Sequence, residues 1–146
     1  MSRDLAELDE DVRAKALLLL DHAAERGIGL KVTQTYRTFA EQAALYAQGR
    51  STPGPIVTHA DAGWSWHNWR RAFDVCFVDS FGGVSWAGPW DEVGALGEAA
   101  GLDWGGRWKH PDRPHFEDRA GLTLAKLRAK YPVGLSERQS ATGGAA

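Results

Sequence analysis

Ser65-Trp-His-Asn-Trp-Arg-Arg-Ala-Phe-Asp-Val-Cys-Phe-Val-Asp79 joins two patterns that belong to different local structures. Its first half, through Arg71, is a tryptophan-rich polar run that carries His67. Its second half, Ala72 to Val78, is β-branched and aromatic enough to be a central strand. A carboxylate at Asp74 is costly on such a strand unless something pairs with it. His67 sits on the loop that enters the strand, so one turn can bring both side chains to a point. A second stretch, Asp112-Arg-Pro-His-Phe-Glu117, again sets a histidine between rigid or apolar neighbours, with carboxylates on either side. Two histidines and one carboxylate, here His67, Asp74 and His115, form a common hydrolytic zinc set that leaves a fourth position open. Zinc acidifies water by about nine pKa units, roughly 12 kcal/mol, which no lone base matches at neutral pH. A carboxylate must still accept the water's proton, and Asp112 and Glu117 are both candidates. Cys76 shares the expected strand face of Asp74 and His110 lies near His115; a buried thiol and an exposed loop histidine are the simpler readings.

Working outward, Asp4 and Glu7 read as a capping pair for one long first helix, with apolar positions from Leu5 to Ala23 and a stop at Gly27. Leu30 to Tyr36 predicts a strand. Thr38 and Glu41 form a capping box for a helix from Phe39 to Gln48 that Gly49 ends. Arg50 to Asp61, punctuated by Pro53, Gly54 and Pro55, predicts a loop. A turn or short hairpin follows from Ser80 to Gly88, then a helix opened by Pro89 and stopped at Gly101. His115 to Glu117 predicts a strand edge, and Asp118 is expected to cap a last helix that Pro132 terminates. Helices flanking a small antiparallel sheet make the class α+β, with one domain over residues 1–134 and a disordered tail over residues 135–146.

Bulk properties narrow the function. The chain has 146 residues, enough for one self-sufficient core. A formal net charge of -2 offers no electrostatic basis for nucleic acid or an anionic membrane. One cysteine excludes a disulfide framework and every multi-cysteine zinc motif. The N-terminus is acidic where a signal peptide is basic and then apolar, so synthesis in the cytoplasm is expected. No apolar run is long enough to span a bilayer. A monomer is expected.

Ser65-x-His67 with Ala72-x-Asp74, then Asp112-x-Pro114-His115-Phe116, resembles the zinc peptidases that cleave peptidoglycan. This family holds D-alanyl-D-alanine carboxypeptidases and the L-alanyl-D-glutamate endopeptidases of phage endolysins. The run Tyr36-Arg-Thr-Phe-Ala-Glu-Gln42, then Leu45-Tyr-Ala-Gln-Gly-Arg50, is similar to the endopeptidase branch, as is Pro53-Gly54 with Val57-Thr58. The resemblance spans about Thr33 to Glu117. It implies one zinc ion on His67, Asp74 and His115, with Asp112 as catalytic carboxylate. It also implies a substrate-contacting Arg37, whose forked donors suit a carboxylate or an oxyanion. Gln42, Ser65 and Trp66 are assigned to the substrate side; Ser65 has no base beside it and makes a local hydrogen bond rather than a nucleophile. One departure is Arg70, where the family pattern has Gly, a residue that suggests positive φ.

The expected activity is therefore a zinc-dependent endopeptidase acting on the stem peptide of bacterial peptidoglycan during lysis. The alternatives are a D-alanyl-D-alanine carboxypeptidase and, in another class, a non-catalytic zinc-containing wall-binding module. Nothing after Tyr131 is expected to fold as a separate wall-binding domain.

Overall fold

The computed structural model describes residues 1–137 and 139–143. Among these residues the sheet is antiparallel, five-stranded and flanked by four helices, the expected α+β class. The N-terminal segment departs from the expected single helix. Asp4 accepts the Ala6 amide at 2.9 Å and starts a 3₁₀ turn, Leu5–Glu7, and α1 (Glu10–Glu25) begins only after the extended Asp9. The break has a cause, because Asp9 turns its carboxylate to the buried Arg71 at 3.2 Å. Val12, Ala16, Leu19 and Ala23 then form the buried stripe of α1.

After β1 (Leu30–Gln34), the Thr38–Glu41 capping box closes on both sides and opens α2 (Phe39–Ala47). The stretch from Arg50 to Asp61 contains no helix or named strand, as its prolines and glycines predict. β2 (Ala72–Val78) is followed by the short β3 (Val84–Ser85), α3 (Trp90–Ala99) and β4 (Asp103–Trp104). β5 (His115–Glu117) and α4 (Leu124–Lys130) complete the elements. Pro89 is the cap of α3 rather than its first residue. Thr123, not Asp118, caps α4, accepting from the Lys126 amide at 3.2 Å. Asp118 is instead held by Lys15 at 2.5 Å and Arg71 at 3.5 Å.

The strand order is β1-β2-β5-β4, with β3 also paired to β2. Register places Phe73 opposite Phe116 and Val75 opposite Val32. These residues point into a core shared with α1 and α3, where the Phe73 and Phe116 rings stack at 5.7 Å. Gly97 on α3 permits this contact, since a Cβ there would lie 2.3 Å from the Phe116 ring. The same pairing puts Asp74 between Gln34 and His115, on the opposite face of the sheet. A bulge between Val32 and Gln34 makes this possible, shifting β1 so that Gln34 joins the Asp74 face.

A second apolar cluster, Trp66, Trp69, Ala72, Leu127 and Ala141, braces the loop ahead of β2. Within the segment expected to be a disordered tail, Ala141 is buried and Leu135 packs on the same cluster. Residues 138 and 144–146 of that tail lie outside the described residues.

Candidate metal centre and active site

The loop that presents His67 is built from its own polar residues. Ser65 caps a 3₁₀ turn, Trp66–Trp69, its hydroxyl accepting from the His67 amide at 3.3 Å. Asn68 is fully buried and accepts from the Gly63 and Ser65 amides while donating to the Arg37 carbonyl at 3.0 Å. Trp69 anchors the turn by donating to the Gly63 carbonyl at 3.1 Å. Arg70 then adopts a left-handed conformation, φ 61°, which reverses the chain into β2. Positive φ is what the usual glycine implies, so the arginine keeps the backbone path. Its side chain is buried, reaching the Glu7 carboxylate at 2.6 Å and the Glu137 and Gln139 carbonyls at 2.8 and 3.0 Å.

His67 Nδ1 meets the Thr35 carbonyl at 2.8 Å. A carbonyl only accepts, so Nδ1 carries the hydrogen and Nε2 is left for Asp74 Oδ1, 3.3 Å away. From the other side His115 brings Nδ1 to the same Asp74 oxygen at 3.1 Å. One ligand atom from each of His67, Asp74 and His115 lies within 4.8 Å of those of the other two. Zinc bonds of about 2.0–2.1 Å in a tetrahedron put neighbouring ligands roughly 3.3 Å apart, so both observed separations suit that ion. The donor set, two imidazoles and one carboxylate with no thiolate, also suits it; Cys76 is buried in the sheet and is not among the three.

The electrostatics agree. Burial works to raise the Asp74 carboxyl, but the charges and hydrogen bonds of His67 and His115 outweigh it and hold the group below the usual carboxylate range. Burial works against a charged His115, yet its bonds to Asp74 and Glu117 push it up to about 10. In the metal-free chain a proton on Nδ1 therefore occupies the place a cation would take.

These groups open into a cleft of about 420 Å³, lined also by Arg37, Ser65, Trp66 and Asp112. Asp112 stands at its exposed lip, and burial against the surrounding protein raises its carboxyl above the ordinary value. Gly105 sets that position: the Asp112 amide donates to the Gly105 carbonyl at 2.9 Å, and a Cβ at residue 105 would lie 2.4 Å from the Asp112 carbonyl oxygen. Glu117, the other candidate base, is 1% exposed with both oxygens engaged, by His115 at 2.8 Å and by Arg119. Each of its oxygens thus already accepts one hydrogen bond. Arg37 lines the cleft and donates to Gln34 and, at 2.8 Å, to Gln42.

Gln42 does not line the cleft. It is fully buried, donates to the Ala60 carbonyl at 2.7 Å and accepts from Arg37 at 2.8 Å. Sequence reasoning did not single out Gln34 or Asn68, and it read the tryptophans crowding the two motifs, Trp64 and Trp108 among them, as mostly core packing with one or two walling a groove. Trp108 lies against the His115 ring at 5.2 Å and, like the half-exposed Trp64, walls the cleft. The crowding of tryptophans near both motifs was a signal, but only the fold distinguishes these two from the buried Trp69. Gln34 depends on a bulge that leaves no mark in the local sequence. His59 and His110 are exposed and outside the cleft.

Two family models, each described as D-alanyl-D-alanine carboxypeptidase, match residues 58–118 and residues 5–83. The chain is 36% identical over 123 residues to the peptidoglycan L-alanyl-D-glutamate endopeptidase CwlK of Bacillus subtilis (strain 168), covering 77% of this chain and 74% of that protein. The fold is similar to the crystal structure of the Serratia marcescens L-Ala D-Glu endopeptidase ChiX, with a TM-score of 0.57 and 24% identity, over 84% of this chain and 85% of that one. No helix among the described residues is long and apolar enough to cross a membrane.

Proposed function

The chain belongs to the D-alanyl-D-alanine carboxypeptidase family of peptidases, and on that premise we propose that it is a zinc-dependent endopeptidase cleaving the L-alanyl-D-glutamate bond of the peptidoglycan stem peptide. The observation that carries the reading is the convergence of His67 Nε2, His115 Nδ1 and Asp74 Oδ1 beside Asp112 in one cleft. Choice of bond follows the relative of 36% identity, an L-alanyl-D-glutamate endopeptidase by name.

His67, Asp74 and His115 would hold the ion, which when bound supplies Lewis acidity to a carbonyl oxygen and to the attacking water. The residues of the chain do the rest. Asp112, at the open side of the cleft, accepts the proton of the attacking water and delivers it to the leaving amine. Its raised carboxyl suits both halves of that task, since a stronger base is the better acceptor. Arg37, steadied by Gln34 and Gln42, holds a carboxylate of the substrate; its Nε has no partner among the described residues. Ser65 and Trp66 shape the wall between Arg37 and the metal ligands. An acidic stem peptide meets this arginine favourably. The proposed role is wall lysis by a monomer acting from outside the membrane.

The test is digestion of purified peptidoglycan with and without a chelator, followed by identification of the new termini. Free D-glutamate amino groups paired with L-alanine carboxylates support the proposal. Release of D-alanine alone would move the activity to the carboxypeptidase named by the family models, and full activity in chelator would remove zinc from the reaction.

A further inference from the structure

We propose that Glu117 is a positioning residue that decides which nitrogen His115 turns to the metal, and that Arg119 holds Glu117 in place for that task. The inference rests on the zinc reading above and deepens it.

The two histidines of the site face the same Asp74 oxygen with different nitrogens, Nε2 from His67 and Nδ1 from His115. Each choice must be enforced, because a free imidazole interconverts its tautomers and turns about its side-chain bonds. For His67 the enforcing group is a backbone carbonyl, that of Thr35. For His115 it is a carboxylate. Glu117 lies two residues along β5, on the same face of the sheet, and its Oε1 takes His115 Nε2 at 2.8 Å. An ionised carboxylate only accepts, so Nε2 carries the hydrogen and the Nδ1 lone pair is left for the ion.

Glu117 is itself fastened. Its second oxygen accepts from Arg119 Nε, and the Arg119 guanidinium lies over the Trp66 ring at 5.5 Å. Trp66 adjoins His67 in the chain, so the relay from Trp66 through Arg119 and Glu117 to His115 ties the two metal-binding segments together. Trp108 closes the other side of the His115 ring. The charges favour this arrangement: Asp74 and Glu117 set two negative charges about the His115 ring, and Arg119 holds the second of them in place. A carboxylate in this place also makes the imidazole a stronger donor, and losing such a partner commonly weakens metal binding by about 10- to 100-fold.

The experiment uses the full chain and reads zinc affinity by competition with a chromogenic chelator. Imidazole nitrogen NMR of the zinc-loaded protein reads which His115 nitrogen carries hydrogen. Glu117→Ala is expected to bind zinc about 10- to 100-fold more weakly and to lose the uniform Nε2–H signature at His115. Glu117→Gln keeps an accepting oxygen and is expected to recover most of the affinity and the signature. Arg119→Gln, at a residue 52% exposed, keeps the question open to refutation if the buried Glu117 variants fail to fold. It is expected to weaken zinc several-fold without lowering the melting temperature of the metal-free chain. Wild-type affinity and an unchanged signature in Glu117→Ala would overturn the proposal while leaving the zinc reading intact. So would wild-type affinity in Arg119→Gln for the Arg119 half. A wild-type chain that binds no zinc would overturn both together.

Discussion

The two faces of β2 are built on opposite rules. Phe73, Val75 and Phe77 point into a core with Phe116, Leu19 and Val93, where contact area is the whole contribution. Asp74, one residue from Phe73 in sequence, points the other way into a face where nearly every polar atom has a named partner. On the first face a residue is replaceable by another of similar volume. On the second, a single atom decides, because Asp74 Oδ1 is the point on which both histidines converge. The difference teaches that stability and chemistry share one strand here without sharing side chains, and substitutions should separate them.

The largest separation is expected from the pair Asp74→Ala and Phe116→Ala. Asp74→Ala should leave a purified chain without stoichiometric zinc by elemental analysis and bring peptidoglycan hydrolysis to background, its cost to the metal-free fold confined to pH values at which His115 is charged and pairs with Asp74. Phe116→Ala should lower unfolding stability by about 3–5 kcal/mol in denaturant titration, while the molecules that remain folded bind zinc normally. If Asp74→Ala unfolds the chain as Phe116→Ala does, the two faces are one cooperative unit and the comparison fails.

Next in size is Asp112→Ala, which tests whether the second face divides again into metal binding and proton transfer. Hydrolysis should fall by about 10²- to 10⁴-fold with zinc content unchanged. Full activity would return the role of base to another group, and Glu117 is poorly suited because both of its oxygens are already bonded.

A pH series sharpens the contrast further. His115 in the metal-free chain is pushed up to about 10 by Asp74 and Glu117. Its folded value exceeds its unfolded one, so it stabilises the metal-free fold fully below the ordinary histidine pKa, and that stability is lost as pH rises through the raised value. Zinc binding has the opposite sign. The ion must displace the Nδ1 proton, so apparent affinity should climb by about tenfold per pH unit while His115 remains protonated. Chelator competition from pH 6 to pH 8 measures the slope, and a flat profile would show that no proton is displaced. The core face contributes nothing titratable to either trend.

How much of this was legible in the sequence follows the same division. The bounds of β2 and β5 were readable, because a β-branched and aromatic run and a misplaced carboxylate are local signals, but the place of β5 between β2 and β4 was not. The Thr38–Glu41 box was readable because both of its partners lie within four residues. What escaped was non-local. Asp118 looks like a helix cap until Lys15 and Arg71 arrive from elsewhere in the fold to claim it. Gln42 sits in a motif that suggests substrate, yet its bonds go to Arg37 and the Ala60 carbonyl. His67 and His115 were identifiable as candidate ligands, whereas the nitrogen each turns to Asp74 was not, since the bonds to Thr35 and Glu117 form only after β1 and β5 have paired with β2.

The smallest expected effect concerns Arg70, which stands at the turn between the His67 loop and β2. Restoring glycine there relieves a left-handed conformation that costs a non-glycine residue about 1 kcal/mol. It also removes a charge-assisted bond to Glu7 and the bonds to the Glu137 and Gln139 carbonyls, the charged one alone worth about 1.5–3 kcal/mol. The balance is a loss of about 1–2 kcal/mol in Arg70→Gly, read by denaturant titration. Zinc affinity should be unchanged, because the backbone path that delivers His67 and Asp74 is one glycine adopts freely. The lost bonds all reach away from the cleft, toward the N-terminal 3₁₀ turn and the C-terminal segment. A fall in zinc affinity would instead mean that this clasp holds the metal loop in position. The arginine would then belong to the chemical face of the strand after all.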